Sequence, residues 1–133
     1  MSTRIAYLEN IFLAETGIGT LPTTVFKKRA SRYNPNNKTI TMTAAKKHKY
    51  QSDYIEFFWF HEAYHFYQDE KGTLSDIEED IPTDAVEYLY LKDELEANLF
   101  AYNICKLYDF PIPDWISERY FKDNYIPLKE LVA

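Results

Sequence analysis

Cysteine is almost absent from this chain of 133 residues, and glycine is scarce: Cys105 is the sole cysteine, and there are three glycines. A single cysteine excludes a disulfide framework within the chain and is typical of a reducing compartment, so we expect a cytoplasmic protein. The sequence also lacks an uninterrupted apolar run of about 18 residues, which predicts no membrane span. No secretory signal is expected, because Ile11-Phe12-Leu13 is too short for its apolar region.

Basic residues are also fewer than acidic ones, 15 against 21. The net charge of −6 argues against generic nucleic-acid binding, which depends on neutralising phosphates. The local exceptions are Lys27-Lys28-Arg29, Arg32 and Lys46-Lys47-His48-Lys49. These cations form either a solvated basic edge or a docking patch for an acidic partner.

Aromatic residues, by contrast, are abundant, with twelve tyrosines and nine phenylalanines. We therefore expect a core filled largely by rings, in which buried tyrosine hydroxyls need partners. The length fits one domain over residues 1–133, large enough to bury a single core.

Periodicity predicts an α+β fold in which helices dominate. The predicted helices are Met1–Glu15, 54–70, Thr83 to Leu107 or Tyr108, and Trp115 to about Asn124. Ser52 or Asp53 is expected to cap the second helix, and Thr83 or Asp84, with Glu87, the third. Residues 71–82 are expected to form an acidic loop.

The remaining segment between the first two helices predicts extended structure. Residues 22–32 favour a strand, and Lys28–Tyr33 pairs with Lys38–Thr43 in a predicted hairpin. Its turn is Asn34-Pro35-Asn36-Asn37, whose side chains suit tight turns. We expect this small antiparallel sheet or hairpin to pack on the helical core.

The strongest chemical motif is the HExxH string at residues 61–65, in a chain with only three histidines. On a helix, His61 and His65 share a face, so both imidazoles can bind one Zn²⁺ ion. Glu62 lies beside the metal in such a motif and can act as general base on zinc-bound water.

A catalytic zinc site needs a third protein ligand, and Glu94 is the best candidate. At 100° per residue it shares a helix face with Ala97, Asn98, Ala101 and Cys105, mostly small residues that permit close helix packing. Glu96 is the alternative if the helix register differs. His48 and Cys105 are weaker candidates, as a surface histidine and a small buried apolar residue.

Further residues are candidates for supporting roles around the metal. Asn98 could orient a ligand, or serve only in packing. Gln68, one turn beyond His65, could contact the cleft, or instead serve in packing or lie in solvent. Tyr102, Tyr90 and Tyr67 are candidates for stabilising an oxyanion, among which the sequence does not choose.

The combination of these motifs resembles the ImmA/IrrE family of zincin-like metallopeptidases. The string His61-Glu62-x-x-His65 is followed, 29 positions after the second histidine, by Glu94-x-x-Ala97-Asn98-x-Phe100-Ala101. Residues 33–41 are similar to the family's strand–turn–strand, and the likeness extends from about Arg29 to Pro113.

The resemblance implies a zincin core, intracellular peptidase activity on a protein or peptide substrate, zinc on His61, His65 and Glu94, and Glu62 as base. In related zincins a strand edge beside the cleft pairs with an extended substrate, and Lys38–Thr43 is the candidate edge here. Tyr64 stands where the family commonly has a small residue. The small size, the bulky Tyr64 and the absence of an identifiable substrate determinant leave the alternative of a zincin-fold interaction protein without peptidase activity. A toxin or effector would look the same in the sequence. The oligomeric state is not predicted.

Overall fold

The structure is a computed structural model that describes residues 2–45, 48–74 and 83–133. For residues 2–3 and 83–91 it describes only the helical backbone. This part of the chain forms six α-helices and three short strands. They are α1 Ser2–Thr16, β1 Thr23–Lys27, β2 Arg32–Asn34, β3 Thr39–Thr43, α2 Lys49–Asp53, α3 Ile55–Lys71, α4 Thr83–Tyr108, α5 Glu118–Phe121 and α6 Leu128–Leu131, with a 3-10 turn at Lys122–Asn124. The predicted α+β class is confirmed. Within these ranges every helix is too short or too polar to cross a lipid bilayer.

Helix α1 covers one flank of the core with an apolar stripe. Its buried side chains are Ile5, Leu8, Ile11 and Phe12, at the spacing of one helix face. The Phe12 ring lies edge-on to Trp59 of α3 and Phe100 of α4, with ring centroids 6.0 and 6.2 Å apart. The predicted helix over Met1–Glu15 is confirmed for its described part, with Met1 lying outside it.

The sheet has the order β1-β3-β2. Strand β2 pairs antiparallel with β3, which confirms the predicted hairpin. Strand β1 pairs parallel with the other side of β3, so the sheet is mixed and the prediction of an antiparallel sheet is wrong in this respect. The prediction that Lys38–Thr43 offers a free edge to a substrate is also wrong, because β3 is the central strand and is paired on both sides.

Helix α3 is the centre of the fold, with an unbroken run of buried residues from Trp59 to Gln68. It ends before Gly72 as predicted, since Gly72 adopts the left-handed conformation, with φ 74°, that a glycine tolerates. Its start differs from the prediction. Ser52 and Asp53 do not cap it but belong to α2, and Tyr54 stands at the break between the two helices without a side-chain cap.

Helix α4 packs along α3 through its small residues. Ala97, Ala101 and Cys105 are all fully buried, so the two helix backbones can approach closely. The helix spans Thr83–Tyr108 as predicted. The side chains predicted to cap its start are not among those that the structure describes. Residues 75–82 of the predicted loop lie outside the described residues.

The C-terminal segment is less helical than predicted. A helix was predicted from Trp115 to about Asn124, but its first three residues are not helical. Ser117 is extended, and its hydroxyl accepts a hydrogen bond from the Tyr120 N–H, which makes it the N-cap of α5. Within the predicted range only Glu118–Phe121 is α-helical, and the 3-10 turn follows it.

The hairpin is fastened to α3 by Asp69. Its carboxylate accepts a hydrogen bond of 2.6 Å from the Tyr33 hydroxyl and one of 2.7 Å from the Lys38 ammonium group. Burial raises the pKa of Asp69, but these two donors outweigh it and hold the pKa below its ordinary value. One carboxylate therefore ties strand β2 and the turn before β3 to the central helix.

We predict that Tyr33→Phe lowers the free energy of unfolding by about 1–2 kcal/mol, because it removes a buried hydrogen bond to a charged group. Tyr7→Phe is the matched control: the Tyr7 ring is 54% exposed and its loss of a hydroxyl should change stability by less than about 0.5 kcal/mol. Urea denaturation followed by circular dichroism measures both. Equal effects of the two substitutions would contradict the proposed role of Asp69.

Candidate metal centre

Helix α3 presents His61 and His65 on one face, one turn apart. Both are buried, and their rings lie nearly perpendicular at 86°, with centroids 4.9 Å apart. The spacing of four residues produces this pairing directly, since such residues are neighbours on a helix surface. The two Nε2 atoms therefore point toward the same small volume.

Glu94 enters that volume from α4. Its Oε1 lies 3.0 Å from Nε2 of His61, and its Oε2 lies 2.5 Å from Nε2 of His65. The ligand atoms of the three residues lie within 4.8 Å of one another, and within the described residues this is the only such group of three or more histidine, cysteine or acidic side chains. The structure thus brings together the three residues predicted as metal ligands.

The other nitrogen of each histidine is fixed by an amide oxygen. Nδ1 of His61 donates to Oδ1 of Asn98 at 2.7 Å, and Nδ1 of His65 donates to Oε1 of Gln68 at 2.8 Å. An amide oxygen only accepts, so both Nδ1 atoms carry hydrogen. In the neutral imidazoles, Nε2 then keeps its lone pair, which is the form that binds a metal.

Gln68 is held in this orientation by its amide nitrogen. Its Nε2 donates to Oε1 of Glu96 at 3.2 Å and to the carbonyl oxygen of Asp93 at 3.4 Å. Both partners are acceptors, so the amide cannot turn over without losing these bonds. Glu96 therefore acts on the site through Gln68, and not as the alternative metal ligand.

The Nε2 lone pairs and the Glu94 oxygens repel each other unless a positive charge lies between them. Burial lowers the pKa of His65, but its hydrogen bond with Glu94 and the charges of Glu62 and Glu94 outweigh this and raise the pKa to about 9. Burial raises the pKa of Glu94, but the hydrogen bonds from both histidines outweigh it and hold the pKa well below its ordinary value. A proton or a metal ion can supply the required charge.

The donor set fits Zn²⁺. Two imidazole nitrogens and one carboxylate are a known set of three protein ligands for catalytic zinc, which leaves a fourth position for water. Tetrahedral bonds of about 2.0–2.2 Å place ligand atoms about 3.4 Å apart. The contacts of 3.0 and 2.5 Å need to widen by less than about 1 Å to reach that geometry.

Glu62 lies beside this group without being part of it. Its carboxylate is buried, which raises its pKa, while the charges of His61 and His65 oppose that shift. Among the groups that act on this pKa, the backbone N–H of Tyr33 in β2 has the smallest effect and lowers it. Strand β2 thus lies beside this carboxylate.

A cleft of about 380 Å³ opens over the site. Its floor includes His61, Glu62, Glu94 and Asn98, and its walls include Ser31, Arg32, Tyr33, Gln51, Phe58 and Trp115. Gln51 also accepts a hydrogen bond of 3.0 Å from the Ser31 N–H. No pattern in the sequence marked Gln51 or Trp115, and Arg32 stood out only for its charge.

The other predicted candidates lie away from the metal group. Tyr102 packs against Phe121 and accepts a hydrogen bond of 3.3 Å from Lys106, so it does not line the cleft. Tyr67 is buried, and its hydroxyl has no hydrogen-bond partner among the described residues. Cys105 is buried and unpaired, with a pKa raised by burial to about 12.

His48 and Tyr90 complete the predicted candidates. His48 precedes α2 and is not among the residues that line the cleft. Tyr90 lies outside the described side chains.

Comparisons of the chain with protein-family models, with curated proteins and with solved structures gave no match. The resemblance to the ImmA/IrrE family therefore stays a prediction from the motifs.

We predict that Gln68→Met weakens zinc binding by about 10- to 100-fold, the usual effect of removing a partner that orients a histidine ligand. Gln51→Met is the control, since Gln51 lines the cleft over the site but its side chain accepts a hydrogen bond from the Ser31 N–H and not from a histidine, and it should leave zinc affinity unchanged. Competition with a chromogenic chelator measures both affinities. Equal zinc affinity in the two variants would show that Gln68 does not orient His65.

Proposed function

We propose that this protein is a zinc-dependent, zincin-like peptidase that hydrolyses a peptide bond in a specific protein substrate inside the cell. The observation that carries this proposal is the convergence of two imidazole Nε2 atoms and one carboxylate beneath an open cleft, with the Glu62 carboxylate beside them. His61, His65 and Glu94 would hold the metal. When bound, Zn²⁺ lowers the pKa of a coordinated water to about 7 and polarises a carbonyl oxygen.

Glu62 is the general base in this proposal. It accepts the proton of the attacking water and delivers it to the leaving amine. Burial raises the pKa of its carboxyl group, which favours the protonated form that passes the proton on. Strand β2, with the Tyr33 N–H, lies beside this carboxylate.

Strand β2 supplies the edge for an extended substrate. The Tyr33 N–H points to Glu62 and hence away from β3, so in an antiparallel ladder its carbonyl oxygen points the same way. A substrate strand along β2 can donate a backbone N–H to that oxygen, as in strand addition. This places the peptide across the cleft, next to the metal ligands.

The bulky Tyr64 does not obstruct this arrangement. Its hydroxyl donates to the carbonyl oxygen of Leu131 at 2.9 Å, and its ring stacks on Phe100 with centroids 4.9 Å apart. It therefore packs in the core, away from the residues that line the cleft. Tyr64 thus gives no steric reason to prefer the alternative without peptidase activity.

We predict that Glu62→Gln retains one zinc per chain but lowers peptide hydrolysis at least about 10²-fold, because the amide cannot accept the proton. The measurement is the appearance of new peptide termini, by mass spectrometry, when zinc-loaded protein is incubated with a pool of peptides from a digested proteome. Glu130→Gln, at an exposed carboxylate on α6, is the control and should cleave at the wild-type rate.

Two results would count against the peptidase. Cleavage by Glu62→Gln at the wild-type rate would remove Glu62 from the mechanism. A zinc-loaded wild-type protein that produces no termini, while binding an intact partner, would instead support the interaction-protein alternative.

A further inference from the structure

We propose that the substrate of this site carries an acidic segment beside the scissile bond, which binds an exposed run of four cations, one of which lines the cleft. These cations, named here the basic ridge, are Lys27, Lys28, Arg29 and Arg32. The inference rests on the proposed peptidase function, and it names the class of substrate.

The ridge is exposed and unpaired. All four side chains are exposed, and none forms an ion pair with a described residue. Several other cations are paired with carboxylates, such as Arg4 with Glu56 and Lys106 with Glu118. A chain with 21 acidic residues thus leaves this run of positive charge unbalanced.

The ridge lies where a substrate strand would enter. It runs from the last residue of β1 to the first residue of β2, and no acidic residue interrupts it. Arg32 itself lines the cleft together with His61 and Glu62. Because β2 is the edge that faces Glu62, a peptide paired along it passes directly beside Arg32.

The charge of the cleft floor permits an anionic substrate. Glu62 and Glu94 are the acidic groups among the cleft residues, and a bound divalent cation balances both. The metal-loaded floor is then close to neutral, and Arg32 sets the sign of the potential at the rim. An acidic peptide is attracted there, whereas a basic one is repelled.

A nucleic acid would also be attracted by exposed cations, but the rest of the molecule does not favour it. The net charge of −6 repels a long polyanion, whereas a short acidic peptide needs to meet only the local positive field. The test therefore includes an oligonucleotide.

The binding experiment uses the zinc-loaded Glu62→Gln protein, so that no cleavage interferes. Every ridge variant and the control carry the same substitution, so the charge that it removes from the cleft floor is common to all of them and the ridge is judged by the difference between variants. Three fluorescein-labelled 12-residue peptides share an alanine–leucine centre and carry four aspartates, four asparagines or four lysines. We expect the aspartate peptide to bind about tenfold tighter than the asparagine peptide at low salt, with the difference vanishing at high salt. Exposed ion pairs contribute about 1.5- to 5-fold each, so several together give this factor.

Variants of the ridge make the test specific. Adding Lys28→Gln and Arg32→Gln should remove the preference for aspartate, and Lys28→Glu with Arg32→Glu should reverse it toward the lysine peptide. The matched control, Arg119→Gln with Lys129→Gln, removes the same charges from exposed positions that do not line the cleft, and it should retain the preference.

The outcomes separate the two proposals. Three results would each overturn the acidic-substrate inference. They are equal binding of the aspartate and asparagine peptides, a preference for aspartate that survives the ridge substitutions, and tighter binding of a twelve-nucleotide thymidine oligomer. Cleavage of proteome peptides by the wild-type protein without enrichment of acidic residues near the new termini would overturn it too, while leaving the peptidase intact. Selective binding of the aspartate peptide with no cleavage by the wild-type protein supports the ridge and contradicts only the peptidase.

Discussion

The close approach of α3 and α4 is the constraint on which the site depends. The small side chains of α4 are fully buried on the helix face that carries Glu94, and beside them the Phe100 ring of α4 stacks on Tyr64 of α3. The helices lie near enough for the Glu94 carboxylate to reach both imidazoles. With neutral imidazoles this contact would set two lone pairs against two anionic oxygens, an arrangement that is unfavourable unless a proton or a metal ion lies between them. The packing of the apolar core therefore creates the electrostatic demand that a metal ion can meet.

The local part of the site was predictable because helix faces are set by a fixed rotation per residue. The positions of His61, His65, Glu94 and Asn98 follow from that rotation and one assumption, that the two helices meet at their small residues. Tyr102 was one of three tyrosines among which the sequence did not choose, and the same rotation places it about 80° around α4 from Glu94. Glu96 was considered only as the alternative ligand, and its link to His65 through Gln68 depends on how α3 and α4 are aligned along their axes.

The sheet could be predicted from the sequence only in part. Alternation and turn residues located the hairpin, because both act over a few positions. Which side of β3 receives β1 is decided by contacts distant in sequence, so the parallel pair and the true free edge at β2 were missed. The helix α2 was missed for a related reason: Ser52 and Asp53 suit a cap, but here they lie inside a short helix that ends at Tyr54.

Tyr33 joins two parts of this architecture that could otherwise be independent. Its hydroxyl anchors the hairpin to Asp69, and its backbone N–H lies beside Glu62, whereas the three candidate ligands all belong to helices. Under the proposed function, the helices alone would hold the metal, while the surroundings of the base would also include the sheet. Displacing the hairpin from α3 would then impair hydrolysis without releasing the metal, so metal content alone would not report activity.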